Sequence, residues 1–501
     1  MAQRHQSVVT FKASQVTTFA IILTLVFAGV GLVMHPGAGY PWSEYFDAYL
    51  FRVIRFSIIQ ALLSAFLSIA IAIPFAVLLA AHPFRGQWIV KALLNLFFIL
   101  PVLTIILGVV NAFSDWFNVF GLRGILIAHL YLNVPYAIRI LWNRLSRQSE
   151  TQLRVAQTLG IGLLQRTLWI QWPIILDTLR PVLVLIFLLC FSSFTVVLTL
   201  GGGPANSNLE VAIYQALKFD FDPRAGVLYA AFHALIAFSA MWLTSRRDSF
   251  SMDISSADQR RLAPIKPLPL AALVVLLIIL AYPLLSLISA ALMNQWQGSS
   301  RLVIALWTSF KIAVGSSLVA TLLALLRALD EQPGRLRRML DFGLLVLPIM
   351  VIATGLLLLA LRLNIAFKIT SWMIIWLNGL MALPLILGPL SSRIRSYRAY
   401  YQPLAQSLGM SGWHSLRCIY WPAVEHIIPW CFTFSIVLSI GDLGIAAMLG
   451  SAQFVTLPIL IYQAMGSYQM VLASQLTVIL LGICCVCLML AEWLGEKNTH
   501  A

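Results

Sequence analysis

Twelve long apolar segments dominate this sequence and leave it few ways to fold. Sixty per cent of the 501 residues are hydrophobic and only 10% are charged, whereas a soluble domain carries about 25% charged residues. A helix needs about 20 apolar residues to cross a bilayer. Segments of that length lie near residues 16–34, 54–81, 90–112, 122–142, 174–200, 225–244, 267–293, 304–326, 340–361, 369–390, 422–450 and 469–493. Because lipid offers the backbone no hydrogen bonds, the sequence predicts an all-α polytopic membrane protein with about 12 transmembrane helices.

Basic residues are concentrated in alternate loops between these segments. By the positive-inside rule, the loops that hold most of them are cytoplasmic, which predicts that both termini are cytoplasmic. The net charge of +15 is explained by these loops, so nucleic acid is not an expected partner. Arg4 and Lys12 precede the first apolar segment, but that segment is longer than the core of a secretory signal and no small-residue cleavage site follows it. We therefore interpret it as an uncleaved first transmembrane helix.

One polar segment occurs twice, half the chain apart. In the first copy Gly160 and Pro173 are 13 residues apart, and in the second copy Gly409 and Pro422 have the same spacing. The two copies are separated by 249 residues, and Pro135 and Pro384 have the same separation. Such a series of near-equal separations indicates an internal duplication.

The duplication divides the chain into two halves of six apolar segments each. Because six is an even number, both halves cross the membrane in the same direction, as parallel repeats related by an axis along the membrane normal. The polar, mixed-charge residues after Thr244 are typical of a solvated linker. The sequence thus predicts a first repeat at 1–246, a cytoplasmic linker at 247–266 and a second repeat at 267–501.

Each copy of the duplicated segment is predicted to form a short helix, a turn and the start of a transmembrane helix. In the first copy Leu153, Ala156 and Leu163 recur at helical spacing, with Arg154 on the opposite face. The glycine falls at the C′ position of the short helix, and the proline falls in the first turn of the next helix. An ordinary amphipathic loop is the alternative, but the repetition argues against it.

No motif for catalysis, metal binding or nucleotide binding is present in the sequence. It contains neither G-x-x-x-x-G-K-[ST] nor G-x-S-x-G, and its eight histidines are scattered. Most of the six cysteines lie in apolar segments, where we interpret them as packing residues. An enzyme is therefore not expected. If the protein moves something across the membrane, the energy must come from an ion gradient or a separate ATPase.

The duplicated segments resemble the EAA loops of binding-protein-dependent ABC importer permeases. The shared pattern is A-x-x-x-G, nine residues, then I-x-x-P. It is formed by Ala156, Gly160, Ile170 and Pro173 in the first copy and by Ala405, Gly409, Ile419 and Pro422 in the second. Two such loops in one chain are similar to the fused permeases of the ferric-iron and thiamine importers, and the stretches 190–204, 210–223 and 438–444 look most like the thiamine permease.

This resemblance implies a type I ABC importer permease fold in the bacterial inner membrane. The coupling segments, residues 150–173 and 399–422, would each sit in a groove of one subunit of a cytoplasmic ATPase dimer. That dimer would bind the ATP, so no cofactor is expected on this chain. A periplasmic binding protein would deliver a small molecule, thiamine or its phosphates. The family's name-giving glutamate is replaced by Arg154 and Pro403, so a salt bridge from that position cannot form in the same way.

Asp442 is the candidate for the substrate path, because it is the clearest acid within a predicted transmembrane segment. It could attract a cationic substrate, cap a broken helix between Gly441 and Gly444, or pair with an arginine of a neighbouring helix. Two other functions stay open. A fused ferric-iron permease would carry the same loops. A twelve-helix secondary transporter would share the topology, but it would be expected to show several coupled carboxylates or histidines within the membrane.

Overall fold

The all-α polytopic class is confirmed by the fold. A computed structural model describes residues 2–34, 42–146, 155, 158–244, 267–329, 349–410, 412–450 and 454–497. Within these ranges, nine helices are long and apolar enough to cross a bilayer, and two bent helix pairs raise the number to eleven if each pair is one span. The predicted linker at 247–266 lies outside the described residues, as does the first part of the predicted span 340–361.

The two halves contain corresponding helices in the same order. The described helices of the first half are α1 (Ala2–Val33), α2 (Ala48–Ala81), α3 (Gln87–Ile99), α4 (Val102–Phe113), α5 (Leu122–Ser146), α6 (Leu163–Arg166), α7 (Trp172–Phe191), α8 (Phe194–Leu200), α9 (Leu209–Lys218) and α10 (Pro223–Thr244). Those of the second half are α11 (Pro267–Leu292), α12 (Leu302–Ala328), α13 (Ile349–Arg362), α14 (Ala366–Ser407), α15 (Gly412–Ser415), α16 (Trp421–Val424), α17 (Ile428–Ile440), α18 (Gly444–Leu449), α19 (Leu457–Gly466) and α20 (Met470–Lys497). Thus α1 corresponds to α11, α4 to α13, α5 to α14, α8 to α18 and α9 to α19.

Three predicted spans are broken in the structure. Span 90–112 consists of α3 and α4, which bend by 92° around Leu100 and Pro101. A proline removes a backbone donor and keeps the residue before it extended, and Leu100 has φ −56° and ψ 139°. Span 174–200 ends as a helix at Phe191 and resumes at Phe194. Span 422–450 is divided among α16, α17 and α18, with a 50° bend before α17.

The first helix of each half packs against the other half. α1 runs along α13, and α11 runs along α4. The crossings are close because glycines face backbone: a Cβ added to Gly31 would overlap the carbonyl oxygen of Gly355, and one added to Gly108 would lie 2.9 Å from the carbonyl oxygen of Pro283. Small residues allow such close approach between membrane helices. The halves are therefore interlocked rather than side by side.

Two short apolar helices, α9 and α19, lie where the sequence predicted only a loop or the region before a span. Their N-caps are equivalent: Val211 donates its N–H to Asn208 Oδ1 (3.0 Å), and Ile459 donates its N–H to Thr456 Oγ1 (3.5 Å). Such caps satisfy backbone donors that a helix start leaves unpaired. Each helix is further held by a serine of a long helix, since Leu209 N–H donates to Ser57 Oγ (2.9 Å) and Leu457 N–H to Ser309 Oγ (2.8 Å).

Candidate functional site

The glycine of each coupling segment adopts the turn conformation that the sequence predicts. Gly160 has φ +69° and Gly409 has φ +60°, in the left-handed region that favours glycine. Both are exposed, and a Cβ added to either would meet nothing within 4 Å. Gly409 stands at C′ of α14, and the N–H of Met410 donates to the carbonyl of Ala405 (3.0 Å). This bond is the one that closes a Schellman motif.

A π-helical turn precedes the proline in both segments, and the sequence analysis did not predict it. The turns span Thr167–Gln171 and Leu416–Tyr420. Each ends with a backbone bond across five residues, from Trp172 N–H to the Thr167 carbonyl and from Trp421 N–H to the Leu416 carbonyl. A proline has no N–H to donate to the carbonyl four residues before it. In both segments the tryptophan just before the proline donates instead to the carbonyl five residues back, which forms the wider π turn. π turns of this kind are frequent at functional sites.

The other predicted coupling residues lie around these turns. Ile170 is half-buried and Pro173 exposed, whereas Ile419 is buried and Pro422 half-buried. In the second copy Ala405 is buried, on the inner face of the end of α14. Ala156 and Arg154 lie outside the described residues. The second segment is thus packed more deeply into its half than the described part of the first.

The helix before the second turn is not the short separate helix that the sequence predicted. It is the last part of α14, a continuous helix of 42 residues, whereas the predicted span ended at residue 390. At 1.5 Å per residue, α14 is about 63 Å long, roughly twice the ~30 Å hydrocarbon core of a bilayer. Residues 391–402 are polar and basic, which ends the apolar run without ending the helix. The second coupling segment is therefore the end of a helix that extends beyond the membrane.

Arg398 anchors this extension of α14. The predicted spans place it in the loop between residues 390 and 422, where it is one of several basic residues. Its Nη2 donates to the Leu329 carbonyl (3.0 Å) at the end of α12, and its Nε donates to the Tyr420 hydroxyl (3.1 Å). The guanidinium also lies 5.1 Å from the centroid of the Tyr420 ring, within the range of a cation–π interaction. Arg398 is 8% exposed. One buried side chain thus joins α14, α12 and the π turn.

Replacing Arg398 with methionine is expected to loosen the second coupling segment. The Leu329 carbonyl and the Tyr420 hydroxyl would each lose a charged donor, at about 1–3 kcal/mol for a buried group left unpaired. We expect a lower unfolding temperature of the purified protein and at least a fivefold lower uptake rate. Arg398→Lys should restore little, because lysine lacks the planar fork that reaches both acceptors. Arg395→Met, at an exposed position of α14, is the control, and equal behaviour of Arg395→Met and Arg398→Met would contradict the anchor.

Asp442 caps a broken helix, one of the roles open to it from the sequence. Gly444 N–H donates to its Oδ1 (3.2 Å) and Ile445 N–H to its Oδ2 (3.1 Å), so the carboxylate lies at the N-terminus of α18, where negative charge is favoured. A cavity of about 10 Å³ adjoins it, lined also by Asn378 and Ser439. That volume is close to the room that one water molecule needs.

The breaks of the two halves meet at what we call the central interface, the contact of Pro101 and Phe194 with Gly441 and Gly444. A Cβ added to Gly441 would lie 3.0 Å from Cβ of Pro101, and one added to Gly444 would lie 3.3 Å from Cδ1 of Phe194. The bend between α3 and α4 and the start of α8 therefore pack against both ends of the break between α17 and α18. The two halves are therefore in direct contact at their breaks.

A second buried acid, Glu210, lies close to the central interface and was missed because it falls in the loop between the predicted spans 174–200 and 225–244. Glu210 is 2% exposed, and its Oε1 is 4.0 Å from Nε2 of the fully buried His233. Its helix α9 also carries Tyr214, whose ring packs edge-to-face on Phe194, the first residue of α8. The sequence signal that could have revealed it is the apolar run from Leu209 after the capping residue Asn208.

Polar contacts tie down the segments around α9. The ammonium of Lys218, at the end of α9, donates to the carbonyl of Gly450 (2.8 Å) at the end of α18, which links the two halves. The hydroxyl of Tyr45, in the turn before α2, donates to Asp222 Oδ1 (3.3 Å). Burial raises the pKa of Tyr45, and the bond to Asp222 raises it further.

Two interlocked, duplicated halves, each with a left-handed glycine and a proline-bearing turn, fit the ABC importer permease class that the two EAA-like loops resemble. No family model matches the chain. The chain is 33% identical over 496 residues to the thiamine transport system permease protein ThiP of Brucella abortus (strain 2308), covering 93% of this chain and 91% of that protein. It is 32% identical to the ThiP proteins of Escherichia coli (strain K12), with 90% of each chain covered, and of Haemophilus influenzae, with 94% of each covered.

The chain belongs to the family of ThiP thiamine transport system permease proteins. The resemblance drawn from the two EAA-like loops is thereby confirmed. The chain is a multi-pass membrane protein of the ABC permease class.

Proposed function

We propose that this protein is the membrane subunit of an importer for thiamine or its phosphates, with both halves of the translocation path in one chain. The observation that carries the proposal is the similarity to thiamine permeases over more than nine-tenths of the chain. The names of these relatives favour thiamine over the ferric-iron alternative. Membership of an ABC permease family favours a separate ATPase over the ion gradient that a secondary transporter would use.

We propose that the two coupling segments dock on the subunits of a cytoplasmic ATPase dimer. Each segment presents an exposed, tightly turned glycine, which a flat surface of the ATPase can approach closely. Leu159 and Leu408, beside these glycines, are 70% and 67% exposed, which leaves apolar side chains for the dimer to cover. With Arg154 and Pro403 in place of glutamate, docking depends on the shape of these turns more than on a salt bridge. ATP is bound and hydrolysed by the partner, and this chain is a pore subunit rather than an enzyme.

Movement of the docked segments reaches the membrane helices through the π turns and Arg398. A force on the second segment passes into α14 directly, since the first part of the segment is the end of that helix. It passes into α12 through the Arg398 bond to Leu329. We propose that this movement opens the central interface, and that a periplasmic binding protein supplies substrate from the other side. The protein would lie in the bacterial inner membrane with both termini in the cytoplasm.

Reconstitution tests this function. The permease is placed in proteoliposomes with an ATPase and a binding protein of a thiamine importer, and labelled thiamine is followed. We expect ATP-dependent accumulation that unlabelled thiamine competes away and ferric iron does not. Accumulation without ATP, or competition by iron alone, would overturn the assignment.

A further inference from the structure

The two buried carboxylates near the central interface come from opposite halves. Glu210 and Tyr214 are one turn apart on α9, and the Tyr214 ring packs on the Phe194 ring. The Phe194 ring packs against Gly444, whose N–H donates to Asp442 Oδ1. A cation between the halves at this point would have acidic groups on both sides.

Aromatic rings lie beside the same contact. Tyr214 packs edge-to-face on Phe194, with ring centroids 5.3 Å apart. Tyr214 and Tyr462 occupy equivalent positions in the two repeats, 248 residues apart. Both belong to short apolar helices, α9 and α19. Tyrosine faces attract organic cations, and the attraction is larger where water is excluded.

Each carboxylate also has a buried neighbour with a polar atom that lacks a hydrogen-bond partner among the described residues. His233 is 0% exposed, and neither ring nitrogen is hydrogen-bonded, although Nε2 points towards Glu210 at 4.0 Å. Asn378 is 4% exposed, and its Oδ1 is unpaired where it lines the cavity beside Asp442. Buried polar atoms are normally hydrogen-bonded, so these atoms point to a polar ligand that binds when the contact opens.

We propose that Glu210 and Asp442, with the rings of Tyr214 and Tyr462, form a selectivity site for an organic cation on the path between the two halves. The inference rests on the proposed function and adds the residues that choose the substrate. The thiazolium ring of thiamine carries a permanent positive charge, which the carboxylates and ring faces suit. In the structure the site is shut, because the adjoining cavity of about 10 Å³ is far smaller than such a ring. Separation of Phe194 from Gly444 would open it.

The test compares transport with ATP use in the reconstituted importer. Glu210→Gln and Asp442→Asn replace each acid by the amide of the same size, and asparagine still serves as an N-cap, so α18 keeps its capping acceptor. Tyr462→Leu removes a ring without touching a carboxylate. Asp115→Asn, at an exposed position after α4, is the matched control. For each variant, thiamine transported and ATP hydrolysed are measured in the presence of loaded binding protein.

We expect Glu210→Gln and Asp442→Asn each to lower the thiamine transported per ATP at least tenfold, while binding protein still stimulates hydrolysis. Tyr462→Leu should lower the ratio about threefold, and Asp115→Asn should leave it unchanged. If both carboxylate variants transport as much thiamine per ATP as the wild type, the proposed selectivity site is wrong. This holds when transport and hydrolysis both stay normal, and also when both fall together, as they would if the carboxylates were only structural caps. If the wild-type protein moves no thiamine, the proposed function itself has failed, which is a distinguishable result.

Discussion

Replacing Gly160 and Gly409 together with valine should reduce thiamine uptake by at least tenfold while the protein still inserts into the membrane. Both glycines have positive φ, where a side chain with a Cβ costs about 1–2 kcal/mol per residue. Neither substitution meets a neighbouring atom, so the strain is relieved by reshaping the turn and not by unfolding the core. A penalty of one to two kcal/mol changes the ratio of two conformations by about 5–30-fold. The effect on uptake is larger still, because both reshaped turns have to dock on the ATPase dimer at the same time.

Gly482→Val is the control for this experiment. Gly482 is an exposed helical glycine of α20 with no atom within 4 Å of an added Cβ and without positive φ, so it adds the same volume without the strain. Uptake is measured together with the amount of protein in the membrane and the binding of the ATPase. Normal uptake by the double variant would show that the turns are not needed for coupling. The two single variants should fall between the wild type and the double variant.

A valine at Gly31 or Gly355 should release α1 from the second half and destabilise the whole protein. The two glycines face each other across the α1–α13 crossing, and a Cβ at either would overlap a backbone carbonyl oxygen of the other helix. Backbone cannot turn aside as a side chain can, so the cost is expected at or above the upper end of the usual range for overpacking, about 3 kcal/mol or more. The unfolding temperature in detergent should fall by on the order of 5 °C.

Gly29 supplies the matched control for this crossing. It lies on the same helix, two residues from Gly31, and an added Cβ there meets nothing within 4 Å. Gly29→Val should therefore unfold at the wild-type temperature. A cysteine pair placed across α1 and α13 gives a second measurement, since its cross-linking should be lost with Gly31→Val and kept with Gly29→Val. Equal stability of the two variants would mean that α1 is not packed as described.

Hydropathy predicted most of the long helices because lipid burial depends on composition alone. The span predicted at 54–81 is α2, which begins six residues earlier at Ala48. A break between Gly441 and Gly444 was one alternative from the sequence, but the break at Pro101 was not predicted, since the sequence around it stays apolar on both sides. A break depends on which backbone groups find partners in neighbouring helices, and that information is not local. For the same reason α14 was predicted to end where its apolar run ends.

The residues of the candidate site that could not be predicted from the sequence are also those that depend on contacts between distant segments. The turns at Gly160 and Gly409 could be predicted, because the need for positive φ is a property of a few adjacent residues. Arg398 could not, because nothing near it in the chain distinguishes it from a loop charge. Arg398 acquires its role from Leu329, 69 residues earlier. For Glu210, the apolar run after Asn208 indicates a helix but not a site, and its role depends on His233 of another helix.

Because α1 packs on a helix of the second half, it is synthesised long before its packing partner. α1 leaves the ribosome first, but its partner α13 begins only at Ile349, about 300 residues later. At roughly 5–20 residues per second, α1 must wait for about 15–60 s before its partner is made. It must therefore survive alone in lipid, and its segment Gln15–Val33 carries a mean hydropathy of 2.4. In a nascent chain halted before α13, α1 should accordingly be inserted in the membrane but not packed on α13, so that other helices can contact it.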